Sequence, residues 1–322
     1  MRIFVSIASY RDPLLYDTIT SLLENKSGLA EITIGIFEQT SIEDSLIKKH
    51  PEILEDVHRQ IRYKRIDPEH SDGVGWARHI NSLQLTDEDF FYQIDSHMLF
   101  DKNWDRNLIK DYQLAAEKHN NNKIVITANC KNFELDKEGN IVKETHTNDI
   151  TCRSKYFYFQ RNYLPNAHGE WIPALDDVSP AIHIFAGNMF TRSDWVRDVG
   201  INPRFYFEGE EQYLTLASYA AGYDLCHPRK IDCYHYRGSN NYVSKQWIDP
   251  VISQEIINRN RRISDLEFRS FLLNLDETIL ESYRKYSGVD YINRKLESRA
   301  ISKEILPPEN LVNDWEIPNR TD

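Results

Sequence analysis

Short β-branched runs alternate with helically spaced apolar residues from the second position onward, which restricts the chain to α/β architectures. Residues 2–8 read as a strand, after which Leu14, Leu15, Thr18, Ile19, Leu22 and Leu23 recur at helical spacing. Further strands are expected at 31–37, 61–65 and 90–94, with a helix over 73–83 before the last of them. Strands that alternate with helices pair mostly in parallel and are covered on both faces. Ligands of such sheets gather beyond the carboxyl ends of the strands. Those positions hold Ser9, Arg11 and Asp12 after the first strand, and Asp95, Ser96 and His97 after the fourth.

The remaining chain is less regular. An amphipathic helix is expected over 105–119 and a strand over 123–129, but residues 130–180 read as an insertion or extended loop. Tyr156, Phe157, Tyr158, Phe159, Tyr163 and Trp171 crowd there. Strand-like spacing returns at 182–191, followed by helices over 193–199 and 210–221 and strands near 223–227 and 232–236. The segment 251–300 is charged and helical in pattern. The expected organisation is a catalytic domain over 1–245, with a nucleotide half to about residue 105 and an acceptor half after it, followed by a helical appendage over 246–322.

A formal net charge of −11 argues against a nucleic-acid substrate, since phosphate binding needs clustered cations. The four cysteines are too sparse for a disulfide scaffold and fit a reducing compartment. No run approaches the roughly 18–20 apolar residues of a membrane span, and the N-terminus lacks the pattern of a signal peptide, so a cytoplasmic protein is expected.

Asp95-Ser96-His97 follows directly on the apolar run Phe90–Ile94. A carboxylate and an imidazole two positions apart can face one side and hold a divalent first-row ion, with a diphosphate supplying further oxygens. Taken alone, the triplet reads more readily as a capping aspartate beside a surface histidine. His235, at the end of a later strand-like run, offers a third ligand and tips the reading toward metal. A rival set, Cys226, His227, Cys233 and His235, contains zinc-type ligands but no Cys-x-x-Cys pair. Gly73-Val74-Gly75-Trp76-Ala77-Arg78 is neither a dinucleotide fingerprint nor a P-loop, yet Gly75 and Arg78 at a helix start suit a diphosphate. Glu210 and Glu211 open a helix, where carboxylates are favoured by the helix dipole in any protein; functionally, either can bind sugar hydroxyls or orient an acceptor.

Several of these blocks together resemble cytoplasmic GlcNAc transferases that modify hydroxyproline on a ubiquitin-ligase adaptor, and more distantly the polypeptide GalNAc transferases. They are Ile7–Pro13, Gly75–Arg78, Gln93–Met98, Asn103–Asp105, Phe185–Phe190, Phe207–Glu211 and Cys233–Arg237. The resemblance covers about residues 2–240. It implies a glycosyltransferase A fold, a UDP-sugar donor with UDP-GlcNAc foremost, Mn²⁺ or Mg²⁺ held by Asp95, His97 and His235, nucleotide contacts from Arg11 and Arg78, and retention of anomeric configuration. The acceptor it implies is a hydroxyl on a protein or glycan. A metal-dependent nucleotide-sugar hydrolase or phosphoesterase, and a non-catalytic glycan- or nucleotide-binding module, are the alternatives.

Overall fold

A computed structural model describes residues 1–53, 60–160, 164–238 and 242–303. Strand β1 (Arg2–Tyr10) leads through helix α1 (Leu15–Glu24) to β2 (Glu31–Gln39), then through the short α2 (Leu46–Lys49) to β3 (Ile61–Ile66). Helix α3 (Val74–Ser82) returns the chain to β4 (Phe90–Ile94). Strands β1, β2 and β3 pair in parallel outward, whereas β4 pairs in parallel on the opposite side of β1. The strand order therefore reverses at β1, and a crevice opens between the carboxyl ends of β1 and β4.

The second half continues the same sheet. After β5 (Met98–Phe100) and helix α4 (Trp104–His119) come β6 (Ile124–Thr127), β7 (Lys131–Leu135), β8 (Ile141–Lys143), β9 (Ile150–Phe159), β10 (Pro165–Pro173) and β11 (Ser179–Pro180). Strand β12 (Asn188–Arg192) precedes helices α5 (Asp194–Asp198) and α6 (Glu210–Ala220), then β13 (Asp224–His227) and β14 (Cys233–Tyr236). The eight-stranded sheet runs β11-β13-β6-β12-β4-β1-β2-β3, with β12 antiparallel to both neighbours. A four-stranded sheet, β5-β14-β7-β8, sets His235 opposite Met98, beside His97. Helices α7 (Gln254–Asn274) and α8 (Glu277–Ser287) and a small β15 (Val289–Asp290), β16 (Lys295–Leu296) pair close the described chain.

Strand periodicity divides the core. Ile3, Val5 and Ile7 join Leu15, Ile19 and Leu22 of α1 and Ile109, Tyr112 and Ala115 of α4 on one face. Phe4, Phe91, Val125 and Met189 meet Trp195 of α5 and Leu214 of α6 on the other. This is the α/β, glycosyltransferase A arrangement, with helices on both faces of a mixed but mostly parallel sheet.

The expected irregular stretch at 130–180 is instead built of strands β7 to β11. In β9 the small polar Thr151 and Ser154 point inward while Tyr158 is exposed, so hydropathy and burial run against each other. Thr151 donates to the Pro228 carbonyl at 2.5 Å, and the Ser154 amide donates to His227 Nε2 at 2.9 Å. Hydrogen bonding thus takes the place of apolar alternation. The strand expected over 182–191 begins only at Asn188, because Ile182–Gly187 bends around the end of β4. Tyr163 and residues 304–322 of the expected appendage lie outside the described residues.

Candidate active site

The crevice widens into a cavity of about 1190 Å³, above the roughly 300–1,000 Å³ of sites for one small ligand and roomy enough for two. Asp12, Arg78, Asp95, Ser96, His97, Glu210, Glu211 and His235 line it. Ser9, Arg11 and Gly75 are not among the residues that line it. Ser9 is fully buried, and Arg11, at φ 45°, is ion-paired to Asp249 at 2.7 Å. The amides of Val74 and Gly75 donate to the Tyr206 and Phe205 carbonyls, at 2.9 and 3.0 Å, so the start of α3 is occupied by the chain itself.

His97 Nε2 lies 3.0 Å from His235 Nε2, which is 3.2 Å from Asp95 Oδ2. One ligand atom from each residue fits within 4.8 Å of the others. Adjacent ligands of an octahedral ion at about 2.1 Å stand about 3.0 Å apart, so this nitrogen and oxygen set fits a divalent cation. Asp12 supports it from behind. Its Oδ2 meets His97 Nδ1 at 2.6 Å and accepts from Ser96 Oγ at 2.6 Å, while Oδ1 accepts from the Leu14 amide at 2.9 Å. A carboxylate on the far nitrogen fixes the imidazole's tautomer and aim. The close approach of Gly187 is equally specific, since a Cβ there would lie 2.2 Å from Asp95 Oδ2.

Arg78 ties the two acidic elements together. Its guanidinium donates to Asp95 Oδ1 at 2.6 Å and to Glu210 Oε2 at 2.5 Å, with its side chain 6% exposed. Burial works against the charge on Asp95, but the hydrogen bond from His235 and the positive charge of Arg78 prevail and hold its carboxyl well below the usual range. Burial also opposes the charge on His97, and the Asp12 carboxylate outweighs it, raising that imidazole's pKa. His235 goes the other way, burial lowering it despite Asp95. Burial pushes Glu210 up to about 7 against the pull of Arg78, with Glu211 and Asp95 adding repulsion.

The rival thiol and imidazole set is dispersed. Cys226 Sγ faces His119, Cys233 Sγ faces Cys130, His227 Nδ1 donates to the Thr127 carbonyl at 2.7 Å, and His235 faces Asp95. All four cysteines are free and buried. Two contributors carried no sequence signal as partners: Asp249, which meets Arg11 from 238 residues away, and His183, which meets Glu211 at 3.1 Å. Gly187 lies in the resemblance block Phe185–Phe190, but nothing in the sequence ties it to Asp95.

The glycosyltransferase (GlcNAc) family model matches residues 2–59 and 48–272. The chain belongs to this family. Among solved structures, this member of the glycosyltransferase (GlcNAc) family is similar to GalNAc-T7 crystallised with UDP, GalNAc and Mn²⁺, at TM-score 0.61 and 14% identity over 88% of this chain and 54% of that one. It thus spans about half the length of that protein. It also aligns with S. aureus TarS 1–349 in complex with UDP-GlcNAc, at TM-score 0.45 and 14% identity over 93% of this chain and 83% of that one. No curated protein sequence matches it. Among the described residues, no helix is long and apolar enough to cross a membrane.

Proposed function

We propose that this chain transfers GlcNAc from UDP-GlcNAc to a hydroxyl on a protein or glycan, with retention, using Mn²⁺ or Mg²⁺ held by Asp95, His97 and His235. The observation that carries this reading is the convergence of those three side chains within 4.8 Å at the switch point of a glycosyltransferase fold. The GalNAc-T7 structure, solved with UDP and Mn²⁺, supports the same class of donor and ion. Hydroxyproline is the acceptor favoured by the motif resemblance, and the free buried cysteines are in keeping with a cytoplasmic setting.

A divalent ion at this site would act as a Lewis acid on the donor's diphosphate as the glycosidic bond breaks. Asp12 holds His97 in its ligating tautomer, and Ser96 is held by the same carboxylate. Arg78 keeps Asp95 ionised and aimed at the cavity; with Asp95 and Glu210 both engaged, it acts on the donor chiefly through Asp95. Ser9, Arg11 and Gly75 shape the donor pocket from behind through backbone placement. Glu210 or Glu211 positions hydroxyls, and the acceptor attacks from the face that UDP leaves.

The test is a thermal-shift panel of UDP, UDP-GlcNAc and other nucleotide sugars with and without Mn²⁺. A ligand at 100 times its Kd stabilises the native state by about 2.7 kcal/mol. UDP-GlcNAc with Mn²⁺ is expected to raise Tm, and Asp95→Ala to abolish the rise. Absence of stabilisation by any UDP-sugar would overturn the proposal. Fast, complete hydrolysis of UDP-GlcNAc without acceptor would favour a hydrolase.

A further inference from the structure

Glu210 and Glu211 are adjacent in sequence but have different surroundings. The Glu210 side chain is 3% exposed; Oε2 is taken by Arg78, and Oε1 is buried beyond a ligand's reach with no hydrogen-bond partner among the described residues. Glu210 is the counter-ion of Arg78. The Glu211 side chain is 38% exposed on the cavity wall, yet both its oxygens are anchored: Oε1 accepts from the Ala186 amide at 2.9 Å, and Oε2 meets His183 Nε2 at 3.1 Å.

His183 is fully buried and belongs to a chain of contacts running away from the cavity. An ionised carboxylate only accepts, so Nε2 carries a proton. Nδ1 meets the Tyr156 hydroxyl at 3.2 Å. The backbone that carries His183 is held in turn by α8, where Tyr283 donates to the Ile182 carbonyl at 2.6 Å and Tyr286 to the Ala181 carbonyl at 2.9 Å. Burial disfavours the charge on Glu211, but the bond to His183 outweighs it and lowers its pKa. A carboxylate that is partly exposed on the cavity wall, ionised and fixed in direction, with lone-pair capacity beyond these two bonds, suits a sugar hydroxyl.

We propose that His183 is the positioning residue that fixes Glu211, and that Glu211, rather than Glu210, binds a hydroxyl of the donor's sugar. This rests on the nucleotide-sugar reading above and goes further by separating sugar recognition from nucleotide and metal recognition. The roles are distinguishable because UDP lacks the sugar.

The test is calorimetric titration of the full chain with UDP and with UDP-GlcNAc, both in Mn²⁺, for wild type, E211A, H183N and H183Q. E211A and H183N are expected to weaken UDP-GlcNAc about tenfold, the order of one hydrogen bond to a charged group, and to leave UDP within about twofold. The carboxamide of H183Q reaches the place of Nε2, so this variant is expected to keep UDP-GlcNAc affinity within about threefold. Retained UDP binding also reports an intact fold. UDP-GlcNAc affinity that is unchanged in E211A, or that falls only in step with UDP, overturns the assignment of Glu211. Weakening in E211A but not in H183N, or in H183N and H183Q alike, overturns that of His183. Failure of wild type to bind either ligand would instead defeat the underlying nucleotide-sugar reading.

Discussion

At the scale of single residues, the ion pair beneath the cavity makes the sharpest stability prediction. Removing one partner of a buried pair leaves an uncompensated charge, which costs about 3–5 kcal/mol. Arg78→Ala should lose stability of that order in urea unfolding, and adding Glu210→Gln should restore part of it, because a neutral amide is cheaper to bury. The pH dependence follows from Glu210 itself. Its folded pKa, about 7, lies above its ordinary 4.5, so between those values the native state holds more protons than the unfolded one. Its contribution to stability is therefore present at low pH and lost as pH rises through that window. Subtracting the E210Q pH profile from that of wild type should isolate this slope. Asp12 tests the support of the proposed metal set: Asp12→Asn removes the carboxylate that orients His97 and should weaken Mn²⁺ binding about 10–100-fold in titration calorimetry. Asp95, His97 and His235 were legible because each ends or adjoins a strand. Asp249 and His183 were not, since an aspartate after a short turn and a histidine in a loop look alike whether or not the fold brings them to a partner.

At the scale of elements, the site depends on how β4 and β12 pair. Their antiparallel register puts Asn188 opposite Ile94, so Gly187 passes over Asp95, whose amide donates to the Gly187 carbonyl at 3.3 Å. A methyl group on Gly187 would lie within 2.2 Å of Asp95 Oδ2, and the flexible carboxylate can move away more cheaply than the backbone. Gly187→Ala should therefore abolish Mn²⁺-dependent thermal stabilisation while changing the apo Tm much less; an equal loss in both would place the strain in the strands. The parallel half of the sheet was readable because its strands are buried on both faces and appear as unbroken apolar runs. The hairpin of β9 and β10 was hidden, because its inward positions include Thr151, Ser154 and Gly169, while aromatic Tyr158 faces out. Strand β9 is anchored instead by hydrogen bonds to His227 and Pro228, which no local pattern reports.

At the scale of the whole molecule, the chain from residue 246 onward is joined to the cavity at several points. Gln246 donates to Ser71, Asp249 pairs with Arg11, and Trp247 packs on Phe207 with ring centroids 4.2 Å apart. Helices α7 and α8 bury Phe268, Leu272, Leu280 and Tyr283 against Tyr156, Leu164, Phe205 and Leu216. An appendage that folded independently could be removed with little effect, so truncation after residue 245 separates two expectations. Each large apolar side chain that loses its cover forfeits about 1.5–3 kcal/mol. Exposing Tyr156, Leu164, Phe205 and Leu216 together would thus cost an amount comparable to the roughly 5–15 kcal/mol that stabilises a typical domain. The truncated chain should lose its cooperative thermal transition, with near-ultraviolet circular dichroism reporting the loss of aromatic packing. A truncated chain that melts cooperatively near the full-length Tm and still binds UDP would show that these helices are an accessory. The Tyr283 and Tyr286 bonds to the Ala181 and Ile182 carbonyls favour the first outcome, because they tie α8 to the backbone that carries His183.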